Sequence, residues 1–328
     1  MKATQGTTYR MLGSRLNDVS AELERLRMIG ATGKKLNAPS DDPASIRPVL
    51  NTRKQLSNVD RYLETMGKSL DIMQATDGHL EHVENIMQRA KEIMTNAING
   101  SLNADDRTVL ADELANLRQE LLDAANGTVD GKYLFAGYAE DTKPFVENGA
   151  FNVLLFDPNI PATWPVSYVG DENPTSLEIS TGEYLEVNLT GNDLFFGTKD
   201  WPSASPPAAG PEYPEPGRFN IFNELAFAEK AIRPPSNTAD MQTSLDNLEG
   251  AAEQNRRLRS QLGNRANRVE TAMDHQEGVR IDLKQILSRY EDADAIDAFN
   301  AIVQQETAFQ AALSVTTKVS QLSILDFI

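Results

Sequence analysis

Whether this chain can do chemistry depends first on the spacing of its histidines and carboxylates. His79 and His82 stand three residues apart, with Glu81 and Glu84 beside them. On a helix that spacing puts both imidazoles on one face, where they could share a divalent metal. The group falls short of an H-E-x-x-H arrangement and has no third histidine close by, so a polar helix face is the better reading. Asp292-Ala293-Asp294-Ala295-Ile296-Asp297 offers alternating carboxylates of the kind that open a calcium loop. It lacks the glycine, the spacing and the closing glutamate of such loops. The aspartates read instead as the acidic start of a helix, where they meet the positive end of its dipole. No glycine-rich phosphate cradle occurs, and three histidines in 328 residues give a Ser-His-Asp triad no support. Cysteine is absent, which removes disulfides, thiolate catalysis and Cys-ligated metal sites. The residues predict no enzyme and no cofactor.

Charge and hydropathy narrow the classes further. Asp and Glu total 48 against 31 Lys and Arg, a formal charge of −17. That balance opposes a nucleic-acid partner, since wrapping phosphates requires clustered cations. No apolar run is long enough for a membrane span, so membrane insertion is not expected. The start, Met1-Lys2-Ala3-Thr4-Gln5-Gly6, is polar and lacks the apolar stretch of a cleavable signal peptide.

The elements that would carry function are set by where helix breakers lie. Thirteen of the 16 prolines fall between Pro144 and Pro235, together with both tryptophans, Trp164 and Trp201. Ala, Leu, Met, Gln and Arg dominate the flanks, so helix formers occupy both ends and breakers the middle. The first stripe is Leu12, Leu16, Val19, Leu23 and Leu26, a 4-3 spacing narrow enough to pack on one other helix. Asp42 before Pro43 is a helix start with a mechanism, because Asp42 accepts an orphan N–H and Pro43 has none to offer. The next helix carries Leu56, Val59, Leu63, Met66, Leu70 and Met73, with Pro48 expected to delay or kink it. A third helix begins near Asn103 and runs to about Asn126. Between Met241 and Leu287 a second long 4-3 grid includes polar Asn255, Arg259, Gln276 and Arg280, residues that set register. The last helix places Ile296, Phe299, Val303, Phe309, Leu313 and Val319 on a broad face. In the middle, Lys132–Tyr138, Phe151–Phe156, Ser176–Ser180 and Tyr184–Leu189 read as strands.

Length decides a pairing. Residues 43–98 and 238–290 would span about 84 and 80 Å at the rise of an α-helix. The chain runs out along one and returns along the other, so they should pair antiparallel. The expected fold is α+β: an elongated antiparallel helical bundle or coiled coil from both arms, with an inserted β-rich domain. Its parts are an amino-terminal segment (1–42), two halves of a helical rod (43–128 and 221–290), a hairpin with the β-rich outer domain (129–220) and a carboxy-terminal helix (291–328). The outer domain holds 14 acidic and four basic side chains, whereas residues 1–60 hold ten basic and six acidic. Neither terminal stripe has an evident partner within the chain except the other. Short isolated helices are marginal in water, so both ends are expected to be disordered when free and helical on assembly. The expected assembly residues are Leu12, Leu16, Val19, Leu23, Leu26, Phe309, Leu313, Val319, Leu322 and Leu325.

Specific segments then carry a resemblance. Thr32-Gly33-Lys34-Lys35-Leu36-Asn37-Ala38-Pro39-Ser40-Asp41-Asp42-Pro43 resembles the segment after the first helix of flagellin-like axial proteins. Its Pro-Ser-Asp-Asp-Pro form is similar to hook-associated proteins rather than filament flagellin. Gly131 to Gly137, Thr142 to Phe145, Ser288 to Asp294 and Lys318 to Ile328 resemble the hook-associated protein 3 family in particular. Met1 to Gly6 departs from the usual start. The resemblance implies a structural flagellar protein between hook and filament, outside the cell and exported without a cleavable signal. It also implies as partners its own copies, hook-associated protein 1, flagellin and an export chaperone at the carboxy-terminal helix. Two alternatives stand beside it: a filament flagellin, and a secreted binding module built on an exposed Trp164, Tyr168 and Trp201 cluster.

Overall fold

The structure is a computed structural model that describes residues 5–171, 173–198 and 214–325. Helices α1 (Gln5–Thr32), α2 (Pro43–Asn99) and α3 (Ala104–Ala125) come first, and α4 (Ile221–Ile232), α5 (Thr238–Glu291) and α6 (Ala295–Leu325) last. Between them lie β1 (Thr128–Val129), β2 (Lys132–Tyr133), β3 (Phe145–Glu147), β4 (Val166–Tyr168), β5 (Ser176–Ser180) and β6 (Glu183–Glu186). The chain is therefore α+β, as the segregation of proline requires. It divides into two compact units: residues up to 61 with those from 277 onward, and residues 62–276.

In the second unit, α2 and α5 run antiparallel. Lys91 pairs with Glu249, Arg256 with Glu84 at 2.8 Å, and Arg259 with Asp77 through two bonds of 2.7 and 3.0 Å. Numbers rise on one helix as they fall on the other. Met66, Met73, Leu80, Val83 and Met87 of α2 are buried, as are Met241, Leu248, Ala252, Leu262 and Val269 of α5. The polar grid members keep their places. Asn255 is fully buried and donates to the Leu80 carbonyl at 3.0 Å, and Gln276 donates to the Ile179 carbonyl at 3.1 Å. Helix α3 starts at a reciprocal capping box between Asn103 and Asp106 and packs on α4.

Three two-stranded antiparallel ribbons, β1-β2, β3-β4 and β5-β6, make the middle of this unit. The first turns at Asp130 (φ 51°) and Gly131 (φ 79°), the left-handed pair that a two-residue hairpin needs. Phe145 opposes Tyr168 across β3-β4, and both rings enter the core. Phe145 lies 5.1 Å from the Tyr168 and Phe195 rings and 5.5 Å from Phe222. A short helical turn over Asn192–Phe196 supplies Leu194, Phe195 and Phe196 to this aromatic cluster.

Four expectations need correction. Phe151–Phe156 forms no strand but a 3-10 turn at Val153–Leu155, whose start is capped by Asn152. Asn148 and Asn152 bond their own backbone two residues on, which favours turning over pairing. The strand expected over Lys132–Tyr138 stops at Tyr133, and the Ala139 and Thr142 amides close turns beyond it. Helix α4 lies where no separate helix was expected. Its signals were present, with Asn220 capping Asn223 and Ile221, Phe222, Leu225 and Ile232 on its buried side. Finally, α2 begins at Pro43 and runs through Pro48 without delay, since near the start of a helix a missing N–H breaks few bonds.

Candidate assembly interface

The terminal stripes meet in the first unit. Helices α1 and α6 pack along each other, and Arg27 pairs with Glu306 at 3.6 Å while Gln305 donates to the Val19 carbonyl at 3.1 Å. Leu23 of α1 is buried, and Leu12, Leu16, Val19 and Leu26 are half-buried. Ile29, one turn after Leu26, is buried too and belongs with them. The i, i+3 step from Leu26 to Ile29 was readable, but it lies off the strict 4-3 grid. Gly30 gives the close approach its room, because a β-carbon there would come within 2.9 Å of Ile302 Cδ1.

Helix α6 is apolar over a wide arc, and α1 covers only part of it. Ala298, Ile302, Gln305, Phe309, Ala312 and Thr316 are half-buried at 4-3-4-3-4 spacing, the side against α1. Ile296, Phe299, Val303 and Leu313 follow their own 3-4 rhythm and are exposed, at 74, 65, 46 and 42%. Phe309 and Leu313 stand one turn apart and about 40° around the helix, Phe309 half-buried and Leu313 at the exposed edge of the covered stripe. Val319, Leu322 and Leu325 are on α6, but their side chains lie outside the described residues. On α1, Met11 and Met28 are exposed outside the stripe.

Charges around the interface are local and wet. The Arg25 guanidinium holds the Glu22 carboxyl below the usual carboxylate range. The Asp41 carboxyl is lowered by the Ala38 and Asn37 N–H groups, and Asp42 by the Ser45 hydroxyl. These contacts shape the link between α1 and α2: Asp42 accepts from Ala44 N at 3.0 Å at the start of α2.

The other groups singled out for chemistry are not brought together. His82 Nε2 sits 3.2 Å from Glu120, while His79 meets the Phe135 ring edge-on and is lowered in pKa by burial and then by His82. Asp294 caps the first turn of α6 through Ile296 N and Asp297 N. No group of three or more His, Asp or Glu side chains arranged for a metal occurs among the described residues, and no described helix is long and apolar enough to cross a membrane. Trp164 and Tyr168 are buried: the indole donates to the Pro158 carbonyl, and the phenol donates to the carbonyls of Phe135 and Asp171. Trp201 lies outside the described residues.

Known proteins share this helical frame. Residues 3–140 match the bacterial flagellin N-terminal helical region, and residues 245–328 match the bacterial flagellin C-terminal helical region. Together the two matches take in more than half of the chain, with the sequence order and helix placement described above. The chain belongs to the flagellin family. Among relatives within this flagellin group, flagellar hook-associated protein 3 of Escherichia coli (strain K12) is 26% identical over 307 residues, 90% of this chain and 89% of the relative. Two Legionella pneumophila structures share the fold. Flagellar hook-associated protein 3 has a TM-score of 0.58 at 18% identity, covering 74% of this chain and 98% of its own. The flagellar junction protein FlgL has a TM-score of 0.54 at 18% identity, covering 76% and 100%. The expected flagellin-like helical arms and intervening small sheets are thus present.

Proposed function

We propose that this chain is a structural junction protein of the bacterial flagellum, joining the hook, through hook-associated protein 1, to the flagellin filament. The observation that carries the reading is the uncovered part of the apolar arc of α6. Leu313 and its neighbours at 296, 299 and 303 stay exposed after α1 has covered the rest. A helix in water keeps such a stripe only at a cost in solubility, and burying it against a neighbouring subunit removes that cost. Subunits joined head to tail in this way make an open helical stack rather than a closed dimer.

Leu12, Leu16, Val19, Leu23, Leu26 and Phe309 would then stabilise the α1–α6 pair, with Leu313, Val319, Leu322 and Leu325 completing contacts between copies. The chaperone would hold the same carboxy-terminal helix before export, shielding it from premature self-association. The length match to the Escherichia coli hook-associated protein 3 supports this reading over a filament flagellin. Burial of Trp164 and Tyr168 removes two of the three aromatic side chains on which a secreted binding module would depend.

Electron microscopy of a strain lacking the protein, complemented with variants, tests the proposal. Leu313→Asp should leave helicity intact yet yield hooks without filaments and flagellin shed into the medium. Leu16→Asp should do the same by parting α1 from α6. Normal filaments in a Leu313→Asp strain would refute the exposed side of α6 as an intersubunit seam.

A further inference from the structure

Glu291, the last residue of α5, is only 1% exposed, and none of the apolar stripes accounts for it. Its carboxylate accepts Lys34 Nζ at 2.9 Å and faces Arg53 Nη2 at 2.6 Å. Its backbone carbonyl accepts Lys35 N at 2.7 Å, and two residues on, Ala293 N donates to the Gly33 carbonyl at 2.9 Å. Lys35 Nζ donates to the Arg289 carbonyl at 2.7 Å, satisfying an orphan acceptor at the carboxy-terminal end of α5. The α1–α2 link and the α5–α6 link are thus tied by one antiparallel bridge, Lys34 to Asp292. Gly33 makes this possible by turning through φ 67° directly after α1.

We infer that this cluster is a clasp that holds the roots of α1 and α6 together and sets the register in which they pair. The inference rests on the assembly role proposed for the two helices and names how that role is controlled. A carboxylate withdrawn from water is retained only with well-placed cations, and register-setting is the best-attested use of such buried charge. Here one carboxylate engages cations from two different segments, the α1–α2 link and α2, while its own residue ends α5. With the roots joined, α1 and α6 start side by side, so their first contacts close only a short loop, whose entropy cost is small. Pairing proceeds outward from Ile29 and Ile302, next to the clasp, toward the ends. The register so imposed decides how much of α6 is covered and how much is left for a neighbour.

Amide exchange by mass spectrometry on the full chain, unassembled, tests this. In the native protein, peptides containing Lys35 and Ala293 should exchange at least tenfold more slowly than peptides nearer either terminus. In Glu291→Gln that protection should fall at least tenfold, while peptides from residues 62–99 stay unchanged and report that the second unit is folded. Lys34→Met, which leaves Arg53 in place, should give an intermediate loss. Unprotected Lys35 and Ala293 in the native chain, or equal protection in Glu291→Gln, would overturn the clasp. Filament attachment in the same strains separates the two readings. Lost protection with normal filaments would leave the clasp as a local contact and defeat its control of assembly, whereas lost filaments with unchanged protection would overturn the clasp and leave the junction role standing.

Discussion

At the residue scale, polar groups drawn inside the helical frame are the places where single changes should be read most clearly. Glu224 of α4 is half-buried and accepts one bond, from Asn247 Nδ2 at 2.9 Å. Burial pushes its carboxyl up to about 7, only partly opposed by that bond. The folded chain therefore holds more protons than the unfolded chain between the ordinary glutamate value and about 7. Stability from this group is fully present below the lower limit of that window and is lost as pH rises through the upper one. Glu224→Gln keeps an acceptor for Asn247 without the charge. Denaturant unfolding should show a flatter pH profile from 4.5 to 7 and a gain on the order of 2 kcal/mol at pH 8. An unchanged profile would mean that the carboxyl is solvated after all. His79, by contrast, is lowered and stays neutral at physiological pH, which suits its place against the Phe135 ring.

At the element scale, helix starts and helix partners can be separated. The capping box of α3 satisfies two orphan donors, with Asp106 N on Asn103 at 2.8 Å and Asn103 N on Asp106 at 3.2 Å. Asn103→Ala should lower stability by about 1 kcal/mol without altering assembly, measured as a shift in the unfolding midpoint. A loss of junction function in that variant would tie α3 to assembly, which nothing in its buried face suggests. The long helices were legible because apolar positions at 4-3 spacing report a partner wherever it comes from. The short strands were less so. Leu154 and Leu155 look like strand residues by type, yet both are exposed, because Asn148, Asn152 and Asp157 offer the backbone local bonds that compete with pairing. Helix α4 was missed because its apolar residues sit among prolines, and its stability comes from the aromatic cluster and α3 rather than from length.

At the scale of the whole molecule, the first unit differs from the second in how much apolar surface it leaves uncovered. The second has a continuous buried cluster from Tyr62 to Val269. In the first, the α1–α6 pair buries few side chains fully and exposes Ile296, Phe299 and Val303. On the proposed reading, the outer parts of α1 and α6 fold only on assembly. Amide exchange in the free chain should then be fast before about residue 20 and after about residue 305, and slow across 62–99. Strong protection of both ends in the free chain would refute folding upon assembly. Leucine burial in the assembled state sets the scale of the effect, since losing one buried leucine costs about 2–5 kcal/mol.

By itself, the sequence determined the helical arms, their antiparallel return, the place of the non-helical middle and the stripes at both ends. Each follows from local periodicity and from where proline forbids a helix, and neither needs knowledge of distant neighbours. The tertiary structure alone decided how much of α6 is covered, how deeply Ile29 is buried, and that Trp164 and Tyr168 face inward. It alone also brought Glu291 to Lys34 and Arg53 across more than two hundred residues. Burial of a particular side chain depends on what the rest of the chain lays over it, and a periodic pattern specifies only that a face will be covered, not by which residues or to what depth.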